Sequence, residues 1–214
     1  MQETLLLCVA TRPEGLLLEK RLGGTRGDVG GRPVALLRTG VGPVNAALAV
    51  ARFAAVQPVR AVLVCGVGGA YPGAALEPGD VACASTETYA DLRSESPEWF
   101  LDMKTLGFPV VKGHHNTLPL DLFPAEKRVA FVTRSTCTGS DDAAREIAER
   151  TGGAVESMEG AAFVHAALAL DLKVGEVRGV SNRVGNRDRG AWRIREAAQA
   201  AQEAAWAWLE AGAC

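Results

Sequence analysis

Apolar residues along this chain fall into two alternating kinds of run. "TLLLCVA" (4–10), "VALLRTG" (34–40) and "RAVLVCG" (60–66) are short and nearly continuous, as expected of strands buried on both faces. "GDVACASTE" (79–87), "KRVAFVTRS" (127–135) and "KVGEVRGVS" (173–181) read as three further strands. Between them lie runs with helical spacing. "PVNAALAVARFAAV" (43–56) opens on a proline suited to a first helical turn, and "SDDAAREIAER" (140–150) opens on a serine cap followed by two aspartates. "EGAAFVHAALALDL" (159–172) is an apolar helix, and "RIREAAQAAQEAAWAWLEAG" (193–212) an amphipathic one ending near a glycine.

Apolar strands separated by helices predict an α/β fold: a single domain over 1–214 with a central mixed, mainly parallel sheet flanked by helices. Residues 88–125, with Trp99, His114, His115 and several prolines, are the least regular stretch and are expected to form an excursion, such as a lid. In parallel sheets ligands bind beyond the carboxyl ends of strands, so those ends merit the closest reading.

Composition narrows the function classes. Apolar residues make up 48% of the 214, enough for a large core, and the formal net charge of −2 comes with scattered basic residues. That balance argues against a nucleic-acid surface. The first residues lack the basic flank and cleavage site of a signal peptide, and no apolar run approaches the roughly 20 residues that span a bilayer. Five cysteines (Cys8, Cys65, Cys83, Cys137, Cys214) are widely spaced without a CxxC. A soluble cytoplasmic protein with neither disulfides nor structural zinc is expected. His114, His115 and His165 show no metal-ligand spacing, so no metal is expected.

The candidate chemistry sits at strand ends. "TGVGPVNAA" and "CGVGGAY" read as glycine-rich turns, either simple tight turns or backbone donors for a polar ligand. Asn45 stands where a dinucleotide fold needs its third glycine, and no acid is well placed downstream, so no nicotinamide cofactor is expected. Glu14 follows the first strand. Glu159 at the start of an apolar helix is either a dipole-favoured first-turn acid or a carboxylate that accepts hydrogen bonds from vicinal hydroxyls. "GVSNRVGNRD" (179–188) turns abruptly from apolar to polar.

The segments "ATRPEG", "TGVGPVNAA", "CGVGGAYPGAALEPGDV", "VESMEGAAF" and "EVRGVSN" occur in an order that resembles the purine nucleoside phosphorylase and nucleosidase superfamily. The likeness is to its hydrolytic branch, with methylthioadenosine/S-adenosylhomocysteine nucleosidase, and "VRGVSNRVGNRDRGAW" is closer still to the futalosine hydrolase family. That resemblance implies hydrolysis of futalosine to hypoxanthine and dehypoxanthinyl futalosine on the alternative menaquinone route. It also implies no cofactor and a homo-oligomer.

By the same resemblance, Glu14 orients and activates the attacking water. Met158 and Glu159 pack against and bind the ribose. Val67 and Gly68 line the nucleoside site from a turn, and Ser181 and Asn182 match a Ser-Asp pair at the base. Asn182 departs from the aspartate: its NH₂ can donate to the acceptors of a 6-oxopurine, which an ionised aspartate cannot. Asparagine also cannot protonate the leaving base. Val64 and Val67 depart from the phosphorylase pattern R-x-G-[ST]-x-G, which favours water over phosphate. Arg183 and Arg187 either meet the benzoate carboxylate or brace the loop through Asp188. The alternatives are an adenine-type nucleosidase, a purine nucleoside phosphorylase and a non-catalytic nucleoside-binding protein.

Overall fold

The computed structural model describes residues 2–95 and 100–212; Trp99 and Cys214 lie outside the described residues. In chain order the elements are β1 (Thr4–Val9), α1 (Leu16–Leu22), β2 (Arg26–Val29), β3 (Arg32–Arg38), α2 (Pro43–Ala54) and β4 (Val59–Ala70). Then come β5 (Val81–Tyr89), β6 (Arg93–Glu95), β7 (Phe100–Asp102), β8 (Thr117–Pro119) and β9 (Arg128–Thr133). The chain ends with α3 (Asp141–Thr151), β10 (Val155–Ser157), α4 (Gly160–Ala169), β11 (Lys173–Arg183) and α5 (Ile194–Glu210).

The sheet is mixed, as expected. The pairs β1–β3, β1–β4, β4–β11, β5–β9 and β9–β10 are parallel, whereas β2–β3, β4–β10, β5–β8 and β5–β11 are antiparallel. Because β10 pairs with both β9 and β4, the strands β4, β11, β5, β9 and β10 close on one another, and β1, β3 and β2 extend away from β4. The length of β4 makes this possible. Its first half pairs with β1 as far as Val64, and only Gly69 and Ala70 pair with β10. Between these two partners one edge of β4 is open.

Each sheet face is covered by helices whose apolar stripes the sequence displays. Ala46 and Val50 of α2 and Phe163, Val164 and Ala167 of α4 join one buried cluster. Leu18 of α1 and Ala201, Ala205 and Leu209 of α5 join another on the opposite side, with Leu5, Leu7 and Leu63. Local signals mark the helix ends correctly. Ser140 accepts a hydrogen bond from the Ala143 N–H, and Pro43 is the first residue of α2.

Several sequence expectations are corrected here. Helix α1 and strands β2, β6, β7, β8 and β10 are shorter than the periodicity reading resolves. Within 88–125, β8 pairs with β5 and Leu118, Leu120 and Leu122 are buried, so residues 117–122 belong to the sheet and core, whereas β6 and β7 form a separate two-stranded sheet. The segment "CGVGGA" is not a turn: β4 runs straight through it. Cys8, Cys65 and Cys83 are buried free thiols, while Cys137 is exposed. Among the described residues no helix is long and apolar enough to cross a membrane.

Candidate active site

A cavity of about 300 Å³ opens where β4 changes partner, at the carboxyl ends of β1, β4 and β11. Glu14, Val67, Gly68, Met158, Glu159, Ser181 and Asn182 all line it. The open edge of β4 explains its floor. The Val67 N–H, with no strand beside it, donates to Glu14 Oε1 at 3.0 Å, and the Val67 carbonyl accepts from Arg178 Nη1 at 3.0 Å. The other Glu14 oxygen accepts from the Thr11 N–H at 2.9 Å and the Thr11 hydroxyl at 2.6 Å. All three contacts are donated to Glu14, the pattern that suits a carboxylate. Val67 and Gly68 therefore line the site from a strand, which corrects their expected place in a turn.

Glu159 precedes α4 and is 4% exposed. Its Oε1 accepts from the Gly42 N–H at 2.9 Å, and its Oε2 stands 3.9 Å from Arg178 Nη1. Burial raises its carboxyl above the ordinary range; Arg178 and the Gly42 N–H oppose that shift, and Glu14 and Glu176 reinforce it. The run Gly160, Ala161, Ala162 is fully buried, so Glu159 is not a solvated first-turn acid.

Arg178 ties the floor together. Its side chain is 2% exposed, and Nε donates to Glu176 Oε1 at 2.7 Å. Burial alone would make the guanidinium less basic, but Glu176, Glu159 and Glu14 outweigh it and hold the charge. Sequence reading missed this residue. The signal was present: Glu176 and Arg178 are two apart in "VGEVRGV", so both project from one side of an apolar strand and each needs a partner. Also missed was Glu156, whose Oε1 accepts from the Thr138 N–H at 2.9 Å and Oε2 from the Tyr71 hydroxyl at 2.5 Å.

The rim carries the polar run that closes β11. The ladder with β4 shifts register between Val180 and Asn182, so Ser181 falls at an irregularity within β11 and not beyond its end. The Ser181 hydroxyl lies 2.7 Å from Asn182 Oδ1 and 3.1 Å from the Gly68 carbonyl. Asn182 Nδ2 donates to the Arg183 carbonyl at 2.9 Å, which leaves one amide hydrogen uncommitted. Met158 Sδ contacts Cys137 Sγ at 3.3 Å. Neither arginine pairs with Asp188. Arg183 bonds Glu77 on the exposed side, Arg187 stacks over Trp192 at 5.0 Å, and Asp188 caps the Gly190 N–H.

Known proteins resemble this chain at two levels, in sequence and in fold. Futalosine hydrolase from Thermus thermophilus is 37% identical over 176 residues, which cover 77% of this chain and 76% of that protein. The futalosine hydrolase of Streptomyces coelicolor is 41% identical over 180 residues, 79% of this chain and 75% of its own. The family model described as the phosphorylase superfamily matches residues 19–211. The chain belongs to the phosphorylase superfamily and, within it, to the futalosine hydrolase family. Among solved structures, the 5′-methylthioadenosine/S-adenosylhomocysteine nucleosidase of S. pneumoniae with the transition-state inhibitor MT-ImmA superposes with a TM-score of 0.82. It covers 97% of this chain and 99% of that one, at 21% identity, a likeness of fold. In this member of the futalosine hydrolase family, the floor of the cavity holds carboxylates around the Arg178 guanidinium and the rim holds the Asn182 amide.

Proposed function

We propose that the protein hydrolyses the N-glycosidic bond of a 6-oxopurine nucleoside, with futalosine as substrate and hypoxanthine and dehypoxanthinyl futalosine as products. The observation that carries this reading is the buried carboxylate pair, Glu14 and Glu159, facing one cavity from either side of Arg178. Glu14 orients a water towards C1′ and takes up a proton as the C–O bond forms. Glu159 accepts hydrogen bonds from the ribose hydroxyls while Met158 packs against the sugar. Both negative charges favour the positive charge that the sugar develops as the bond to the base breaks. Val67 and Gly68 form the wall, and Ser181 holds the Asn182 amide.

Asn182 accounts for the choice of base. With Oδ1 facing the Ser181 hydroxyl and one amide hydrogen given to the Arg183 carbonyl, the second amide hydrogen of this cavity-lining residue serves as the donor for O6 or N7 of a 6-oxopurine. Stabilisation of the departing base rests on that hydrogen bond, with the proton supplied by water. Replacing Asn182 by Asp presents only acceptors and is expected to lower kcat/KM for a 6-oxopurine nucleoside by about tenfold relative to its 6-amino analogue, a loss of roughly 1–3 kcal/mol. An unchanged ratio of the two rates refutes the role of Asn182.

Water is favoured over phosphate on electrostatic grounds. Val64 is buried in an apolar cluster, and the one guanidinium at the floor is engaged by Glu176 and faces Glu159. A phosphate dianion at that floor would meet Glu14 and Glu159 beside a guanidinium already engaged by Glu176. The deciding assay incubates the protein with futalosine, inosine and methylthioadenosine, with and without phosphate, and identifies the free base. Hypoxanthine released from futalosine independently of phosphate is expected. Adenine release points to the adenine-type nucleosidase, phosphate dependence to a phosphorylase, and no base at all to a nucleoside-binding protein.

The proposal extends to a cytoplasmic homo-oligomer. Val41, Val44 and Leu48 expose an apolar strip beside the cavity mouth, suited to a second copy of the chain. Sedimentation of a monomer at micromolar concentration speaks against it.

A further inference from the structure

Beneath the site lie two carboxyl groups to which the proposed chemistry assigns no role. Glu87 on β5 and Glu176 on β11 are both 0% exposed. One oxygen of each has an ordinary partner: Glu87 Oε2 accepts from the Thr133 hydroxyl at 2.8 Å, and Glu176 Oε1 accepts from Arg178 Nε at 2.7 Å. The remaining oxygens, Glu87 Oε1 and Glu176 Oε2, meet no donor. Both crowd the same point at the start of α4. A Cβ on Gly160 would stand 1.9 Å from Glu87 Oε1 and 2.6 Å from Glu176 Oε2.

Two ionised carboxylates facing each other in a dry interior repel strongly, and each would leave an oxygen unsatisfied. One proton between them removes both problems. We propose that Glu87 is a neutral acid that donates its proton to Glu176, and that this shared-proton pair positions Arg178 against Glu14 and Glu159.

The hydrogen bonds assign the proton to one atom. The Ala161 N–H donates to the Thr133 hydroxyl oxygen at 2.7 Å, so the hydroxyl proton is directed to Glu87 Oε2. Oε2 is then the carbonyl oxygen of the acid, and Oε1 carries the proton that faces Glu176. Glu176 is the ionised partner because it is bonded to the guanidinium. The direction of the Glu87 shift agrees: burial and then the neighbouring Glu176 push its carboxyl well above the ordinary range. A single polarised line therefore runs from the start of α4 through Thr133, Glu87 and Glu176 to Arg178. It holds Nη1 against the Val67 carbonyl, 3.9 Å from Glu159. Glu87 touches no cavity residue directly and is a positioning residue.

The kinetic part of the test rests on the hydrolysis proposed above; the spectroscopic part does not. Infrared difference spectra of the wild type and Glu87→Gln at neutral pH are expected to show a buried protonated-carboxyl band lost in the variant. A band unchanged in the variant, or absent from the wild type, overturns the proposal. Turnover is then read on whichever nucleoside the wild type cleaves. Glu87→Gln keeps a donor to Glu176 and should retain kcat within about threefold, whereas Glu87→Leu should lose about tenfold or more. Equal losses in both variants overturn the positioning role. If the Leu variant does not fold, the infrared pair and the retained rate of the Gln variant still decide. A wild type that releases no base defeats the proposed hydrolysis while leaving the infrared result to stand or fall alone.

Discussion

The tripeptide Gly-Val-Gly occurs twice at the site, at 40–42 and at 66–68, and the two copies do opposite things. In the first, Gly40 and Gly42 have φ of +90° and +99°, and the chain makes a true turn into α2. There glycine supplies conformational freedom, and the product is an N–H aimed at Glu159. In the second, neither glycine is left-handed, and the backbone is an ordinary strand. Here glycine supplies only the absence of a side chain. A Cβ on Gly66 would stand 2.6 Å from both Arg178 Nη1 and Glu14 Oε1, and one on Gly68 2.5 Å from Val155 Cγ1. Identical letters thus serve a turn in one place and close approach in the other.

Alanine substitutions test that contrast. Gly66→Ala is expected to have the largest effect: its methyl separates Arg178 from Glu14, and displacement of a reacting group by about 1 Å can cost around 100-fold in rate. Steady-state kinetics on the purified variant reads this, and near-normal kcat would show that the close approach is unnecessary. Gly68→Ala should act on folding, because the Glu156 carbonyl, 2.9 Å from the new Cβ, is backbone and yields poorly. Overpacking of about 1–3 kcal/mol predicts a lower denaturation midpoint at unchanged m-value.

Gly42→Ala faces no neighbour within 4 Å, so its cost is backbone strain alone. If the strain moves the Gly42 N–H away from Glu159, KM should rise by about tenfold, with less change in kcat. A KM equal to wild type would mean that the turn holds its shape without glycine. The smallest effect is in pH dependence. Because the Glu159 carboxyl is raised above its ordinary 4.5, kcat/KM should fall, as pH drops, at a higher pH than for an unperturbed glutamate. Protonation removes the acceptor that holds the ribose. If strain in Gly42→Ala moves the residue 42 N–H away from Glu159, the ionised form loses a donor and this acid limb should move further up.

Legibility in the sequence followed the range of the interactions. The alternation of elements, the Ser140 cap, the Pro43 start and the apolar helix behind Glu159 depend on neighbours three or four residues away, and all were readable. Glu14 and Asn182 were singled out by resemblance, and the structure brings them to one cavity. The short strands β8 and β10 were not readable, since three residues carry too little periodicity to stand out. Arg178 was passed over because a cation inside an apolar run looks like an interruption until its buried partners are known.

The sequence by itself determined the α/β alternation and the starts of α2, α3, α4 and α5, and it singled out residues that the fold brings to one cavity. Tertiary structure alone decided that "CGVGGA" is a strand, because that outcome depends on β10 and β11 pairing with it from far along the chain. It also decided that Glu87, Glu176 and Arg178 form one connected charge system. The physical reason is common to both: a glycine-rich segment has little local preference, and a buried charge has meaning only through its partners. Each is settled by contacts between residues that the order of the chain keeps apart.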